Sequence, residues 1–146
     1  MPARQIIEPE LHVLGASTVT VSTATTTDFD FGTPNDINLA TTTAGAPGLA
    51  YQHGNRVLVI LSASTSGSTD TVSFAIEDAP DAGGSIGAPA TASTTGTLTG
   101  GTGSQFARAS VRLQNGRPWL RVSVTSTGAT DTFVCHCTVL GIPGVL

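Results

Sequence analysis

The residues able to do chemistry are few and scattered. Cys135, His136 and Cys137 look at first like a metal-binding triplet, since thiolate and imidazole are the usual zinc ligands. They fall in a stretch of alternating pattern, however, and successive side chains of a strand point to opposite faces. His136 should therefore face away from the two cysteines. Cys135 and Cys137 share one face, where free cysteines most often serve as small buried hydrophobes; a strained disulfide or a thiol pair is the other reading. His12 and His53 stand alone, with no second ligand at zinc spacing.

Carboxylates come next. Asp28 and Asp30 flank Phe29 in TTDFDFG, and Asp78 and Asp81 bracket EDAPDAGG. A calcium loop needs more oxygen ligands at regular spacing and a bidentate Glu near its end, which neither stretch supplies. Turn and cap chemistry is the plainer role for such aspartates. The stretch GTLTGGTG lacks the Gly-Lys-Ser/Thr ending of a phosphate loop, and no Gly-x-Ser-x-Gly nucleophile elbow occurs. Two carboxylates facing each other across a cleft could hydrolyse glycosides, but nothing in the pattern suggests that pair. Catalytic, cofactor and metal residues are therefore expected to be absent, and the chain is expected not to be an enzyme.

The elements that would carry any site are strands. Segment 56–63, RVLVILSA, is a continuous apolar run that reads as a strand buried on both faces. In 70–78, Val72, Phe74 and Ile76 alternate with polar residues. Segment 105–114 places Ala107, Ala109, Val111 and Leu113 inward with Arg108 and Arg112 outward. Segment 118–126 places Leu120, Val122 and Val124 inward and Trp119 and Arg121 outward. Segment 131–140 lines up Phe133, Cys135, Cys137 and Val139, and 17–24 is a Thr/Val strand. Asn115-Gly116 is a strong hairpin turn signal. The Gly67 stretch STSGSTD and the Gly128 stretch STGATD read the same way, so successive antiparallel hairpins are expected. Residues 32–54 and 79–104 read as long loops, and such loops inside a compact domain are usually functional or disordered. Pro9 bars a helix through 1–14, which reads as an arm. One domain over 15–146 follows an arm over 1–14.

Composition narrows the class. Leu, Ile, Val and Phe make up about a quarter of the chain, above the roughly 20% below which disorder is expected. Charged residues are 11% of the total, against roughly 25% in an ordinary soluble protein. All six basic residues are Arg, and there is no Lys. Lysines are a common device for keeping strand edges apart. Their absence fits a chain that lives packed against other chains; a GC-rich genome, which disfavours Lys codons, accounts for it equally well. With a net charge of −4 and no basic patch, nucleic acid is not expected as a partner. No apolar run is long enough for a membrane helix, and MPARQIIEPE lacks the apolar core of a signal peptide.

The order of these segments resembles the capsid decoration (cement) proteins of tailed bacteriophages. The resemblance runs through RVLVILSA, DTVSFAIED, a Gly-rich loop, ASVRL-QNGRPWLRVSV, the STGATD turn and TFVCHCTVL, and more loosely through TTTDFDFGTPNDI. It covers most of residues 15–140. The Pro118-Trp119 pair and the PGVL tail depart from the family pattern. The resemblance implies an antiparallel, jelly-roll-like β-sandwich bound to the outside of the capsid shell. It also implies a virion location after synthesis in the host cytoplasm, the major capsid protein as partner, and no cofactor. Self-association is expected, as a trimer rather than a dimer, since capsid lattices offer three-fold sites. Contact candidates are Ile6, Ile7, Leu11 and Val13 of the arm, Tyr51, and Trp119 as an exposed anchor or an edge filler. A phage tail or fibre component, or a carbohydrate-binding β-sandwich module using Tyr51 or Trp119, are the alternatives.

Overall fold

The computed structural model describes residues 12–32, 36–39, 56–65, 67, 69–99, 103–112 and 116–141. Among these there is no helix. The strands are β1 (His12–Val21), β2 (Thr26–Asp28), β3 (Ile37–Asn38), β4 (Arg56–Thr65) and β5 (Thr71–Ala79), followed by β6 (Ala90–Thr99), β7 (Gly103–Arg112), β8 (Trp119–Ser126) and β9 (Phe133–Gly141). One sheet has the order β1-β9-β4-β7. The other has the order β2-β8-β5-β6, with β3 also on β8. Every pairing is antiparallel.

This order has a simple origin. With the two-residue β3 set aside, β1 pairs β9, β2 pairs β8, β4 pairs β7 and β5 pairs β6. The chain is thus one long hairpin that reverses between β5 and β6. Rolling that hairpin brings β4 against β9 and β5 against β8, which is the jelly roll. The core lies between the layers. Val57, Val59 and Leu61 of β4, with Phe133, Cys135, Cys137 and Val139 of β9, meet Val72, Phe74 and Ile76 of β5 and Leu120, Val122 and Val124 of β8. Each of the large side chains contributes about 1.5–3 kcal/mol by burial. Phe29 stacks on Phe74 with ring centroids 6.3 Å apart.

Several expectations need correction. The three turn signals do not close hairpins: β4 and β5, β7 and β8, and β8 and β9 lie in different sheets. Gly116 does take a positive φ of 75°, but its turn crosses between layers. A tight turn between alternating strands looks the same in sequence whether the strands pair or face each other. Among the described strands the one sequential pair, β5–β6, turns in the stretch expected to be a loop. There Ala82 N donates to Ser85 O and Gly87 N to Pro80 O, each at 2.8 Å, with Gly83 and Gly84 at positive φ.

That loop, 79–104, also contains β6. An edge strand needs little core-facing bulk, and Thr-rich β6 packs Ala92 and Leu98 against the core. Within 32–54, β3 pairs with β8, and Asp36 and Leu39 are buried. β4 is buried on one face only, because each sheet of a sandwich has a solvent side: Ile60 is exposed and Leu58 half-buried. β1 runs 12–21 rather than 17–24, so residues 12–14 of the expected arm belong to the sheet and Leu14 enters the core. Residues 1–11 lie outside the described residues.

Candidate functional site

Several aspartates are spent on clasps within the sandwich. Asp131 and Asp70 occupy the ends of the β8–β9 and β4–β5 connections and are both buried. Asp131 Oδ2 accepts from Thr69 N at 2.7 Å and Asp70 N at 2.9 Å. Asp70 Oδ2 accepts from Thr130 N and Asp131 N, both at 2.8 Å. These carboxylates tie the two layer-crossing turns together. The sequence carried a signal for them, since Gly67-Ser68-Thr69-Asp70 and Gly128-Ala129-Thr130-Asp131 repeat one Gly-x-Thr-Asp pattern.

At the opposite end of β8, Trp119 corrects an expectation. It is only 1% exposed and cannot serve as an exposed anchor. Its indole N–H donates to Asp81 Oδ1 at 2.8 Å, and Asp81 Oδ2 accepts from Gly84 N at 3.1 Å. The β5–β6 turn thus fixes the ring. The indole bond, followed by the Gly84 N–H, holds the Asp81 carboxyl below its ordinary 3.8. Beside it, Arg117 reaches buried Asp78, donating to Oδ1 and, at 2.6 Å, to the backbone carbonyl. Arg121 makes a two-pronged bond to Asp36 at 2.9 and 3.1 Å and lies 3.5 Å from Asp28. Asp30 closes its own turn onto Gly32 N. These aspartates do turn and clasp work, with Asp28 and Asp36 both at Arg121.

Cys135 and Cys137 are free and buried, while His136 faces the other side with its Nδ1 2.7 Å from Thr18 Oγ1. Burial pushes the thiols up to about 11 for Cys135 and about 12 for Cys137. Among the described residues no group of three or more His, Cys, Asp and Glu side chains comes together to hold a metal.

The outer face of β1-β9-β4-β7 differs from these engaged regions. Leu140 lies opposite Val13 on one side and Leu58 on the other. In the neighbouring rows Ile60 lies opposite Arg108 and Thr138, Ser62 opposite Phe106 and His136, and Ser64 opposite Val134. Phe106 is 72% exposed and Val13 55%, with Ile60 and Val134 also open. The four strands contain no Asp or Glu, whereas β7 presents exposed Arg108 and Arg112. Asp28, Glu77 and Asp78 belong to the other sheet. The outside of one sheet therefore sets apolar residues and Arg among Ser, Thr and His, and the other sheet carries the acids. Val13 is the one contact candidate placed on this face. Ile6, Ile7, Leu11 and Tyr51 lie outside the described residues. Phe106 and Ile60 were missed as contact candidates, although Phe106 sits in phase with Arg108 and Arg112 on the outward side of its strand.

No protein-family model matches the sequence, and no curated protein does. Solved structures do match. A chain of infectious bursal disease virus, Gx strain, superposes with a TM-score of 0.56 at 10% identity, over 94% of this chain and 34% of that one. The Gt strain gives 0.54 at 9% identity, over 94% and 34%. The CBM22-1 xylan-binding domain of Paenibacillus barcinonensis Xyn10C gives 0.51 at 9% identity, over 94% and 99%. The chain spans about a third of the length of the viral chains it matches. A chain of the cyanophage Pam1 capsid asymmetric unit covers 98% of this one at 13% identity, with a TM-score of 0.38, too low to carry weight. The class is thus an antiparallel jelly-roll β-sandwich, a fold found here in both viral chains and carbohydrate-binding modules.

Proposed function

We propose that the chain is a virion structural protein: a capsid decoration protein that binds the outside of a phage shell and braces neighbouring shell subunits without catalysis. The observation that carries this reading is the outer face of β1-β9-β4-β7, where exposed Phe106, Ile60, Val134 and Val13 stand beside Arg108 and Arg112 with no carboxylate in the sheet. Aromatic residues and Arg are enriched where proteins meet. A sandwich whose layer-crossing turns are tied by the buried Asp70 and Asp131 suits a brace. The jelly roll shared with the bursal disease virus chains agrees with that role. The carbohydrate reading loses Trp119, whose buried ring cannot stack on a sugar.

Each contact is weak, so binding depends on several contacts per copy and on linked copies. Ile6, Ile7 and Leu11 add apolar surface to the same task. The test is co-sedimentation with expanded empty shells assembled from the major capsid protein of the phage whose genome carries this chain's gene. The wild type should pellet with the shells. Phe106→Ser with Arg108→Glu should weaken binding at least tenfold while leaving the unfolding midpoint in place, and deletion of residues 2–11 should weaken it as well. Full-length protein that never pellets with shells overturns the reading.

A further inference from the structure

Among the described strands five border the two sheets, and four carry features that discourage further pairing; β3, which lies on β8 beside β2, is only two residues long. β2 is three residues long. β6 is bulged twice against β5, between Phe74 and Ala75 and between Ile76 and Glu77, and turns through Gly96 at a φ of 92°. β7 holds Arg108 and Arg112. Short length, bulges and charge are the usual means of protecting an edge.

β1 has none of these over most of its length. It is ten residues long, with no Asp, Glu, Lys, Arg or Pro. Its single irregularity lies between Val13 and Gly15, and from Gly15 to Val21 it runs in unbroken register along Val139 to Phe133. No described strand lies on its other side. A regular edge of this kind is a template for another strand.

We propose that the edge of β1 pairs antiparallel with the β1 edge of a second copy, joining two four-stranded sheets into one of eight strands. This rests on the decoration reading only for its purpose; the pairing itself follows from the edge. The strand is self-complementary. A two-fold axis near Thr18 places Thr18 opposite Thr18, Ala16 opposite Thr20, and Ser17 opposite Val19, so hydroxyls and methyls meet and no like charges do. The contact is isologous, so one two-fold satisfies both edges at once and the assembly closes as a dimer. The outer faces then merge on one side, doubling the apolar and cationic surface available to a partner. A two-fold dimer replaces the trimer expected from lattice geometry.

Sedimentation equilibrium of the full chain, across a hundredfold concentration range, tests the pairing. The wild type should reach twice the 14.7 kDa protomer mass. Thr20→Lys and Ala16→Lys place a charge at exposed positions of the edge and should each raise the dimer dissociation constant at least tenfold, with circular dichroism and melting unchanged. Thr97→Lys, on exposed β6, should leave the mass at two protomers. A wild type that stays monomeric or forms a trimer overturns the pairing, as does a folded Thr20→Lys dimer of undiminished affinity or equal loss in Thr97→Lys. Shell co-sedimentation separates the two readings. A monomeric wild type that still pellets with shells sinks the β1 pairing alone; a wild type that is dimeric, loses its dimer in Thr20→Lys, and itself never pellets supports the pairing and sinks the decoration role.

Discussion

Asp70 and Asp131 each cap the turn on which the other stands. Asp131 receives the amides of Thr69 and Asp70, and Asp70 receives those of Thr130 and Asp131. The β4–β5 and β8–β9 crossings are therefore locked to each other as well as to the sheets. Hydrogen bonds to a charged group contribute about 1.5–3 kcal/mol, and an orphaned buried donor carries its own cost. Asp131→Ala should lower unfolding free energy by about 2–4 kcal/mol in urea, and Asp70→Ala by a similar amount. The double variant should lose less than the sum, because both remove one shared clasp. Strict additivity would contradict the reciprocal arrangement.

Glycine is required beneath these carboxylates for space. A Cβ on Gly67 would overlap the Asp131 carboxylate, and one on Gly128 would overlap that of Asp70. Gly67→Ala should destabilise by about 1–3 kcal/mol through overpacking. In an Asp131→Ala background the added methyl has room, so its cost should shrink toward zero. A double-mutant cycle by chemical denaturation measures this; an unchanged cost in that background would show that the crowding lies elsewhere.

Trp119 and Asp81 tie stability to pH at the other end. The indole N–H, then the Gly84 amide, keep the Asp81 carboxyl below 3.8. A group held low in the folded state stabilises above its unfolded value and loses that contribution as pH falls through the folded one. The tie should be intact at neutral pH and fade only in acid below the ordinary carboxyl range. Trp119→Phe removes the principal donor. NMR titration of Asp81 should then give a value closer to 3.8; an unchanged titration would remove the indole as its cause.

The cysteines should be silent in the folded state. Thiolate is the reactive form, and burial lifts the two thiols to about 11 and about 12. Ellman's reagent at pH 8 should label neither until denaturant is added, and then label both. Cys135→Ala with Cys137→Ala should lower stability by about 1–3 kcal/mol through lost packing. Rapid labelling of the native protein, or stoichiometric zinc in the purified wild type, would refute this account.

Alternation in the sequence was enough to place Val72, Phe74 and Ile76, Leu120, Val122 and Val124, and Phe133, Cys135, Cys137 and Val139 on core faces, because a strand's two-residue period writes burial directly into residue type. It likewise separated His136 from Cys135 and Cys137. Pairing left no such trace. STSGSTD and STGATD carry the same turn chemistry whether the flanking strands bond side by side or face each other across a core, and only long-range packing chose the second. β6 was hidden because an edge strand backed by Ala92 and Leu98 needs no large side chains. Trp119 occupies a polar phase yet is buried, since the β5–β6 turn supplies Asp81 to its indole from 38 residues away. The reciprocal Asp70–Asp131 clasp and the outer sheet face with its apolar residues and Arg likewise bring together residues distant in the chain, and burial and partnership of that kind are decided by topology rather than by local pattern.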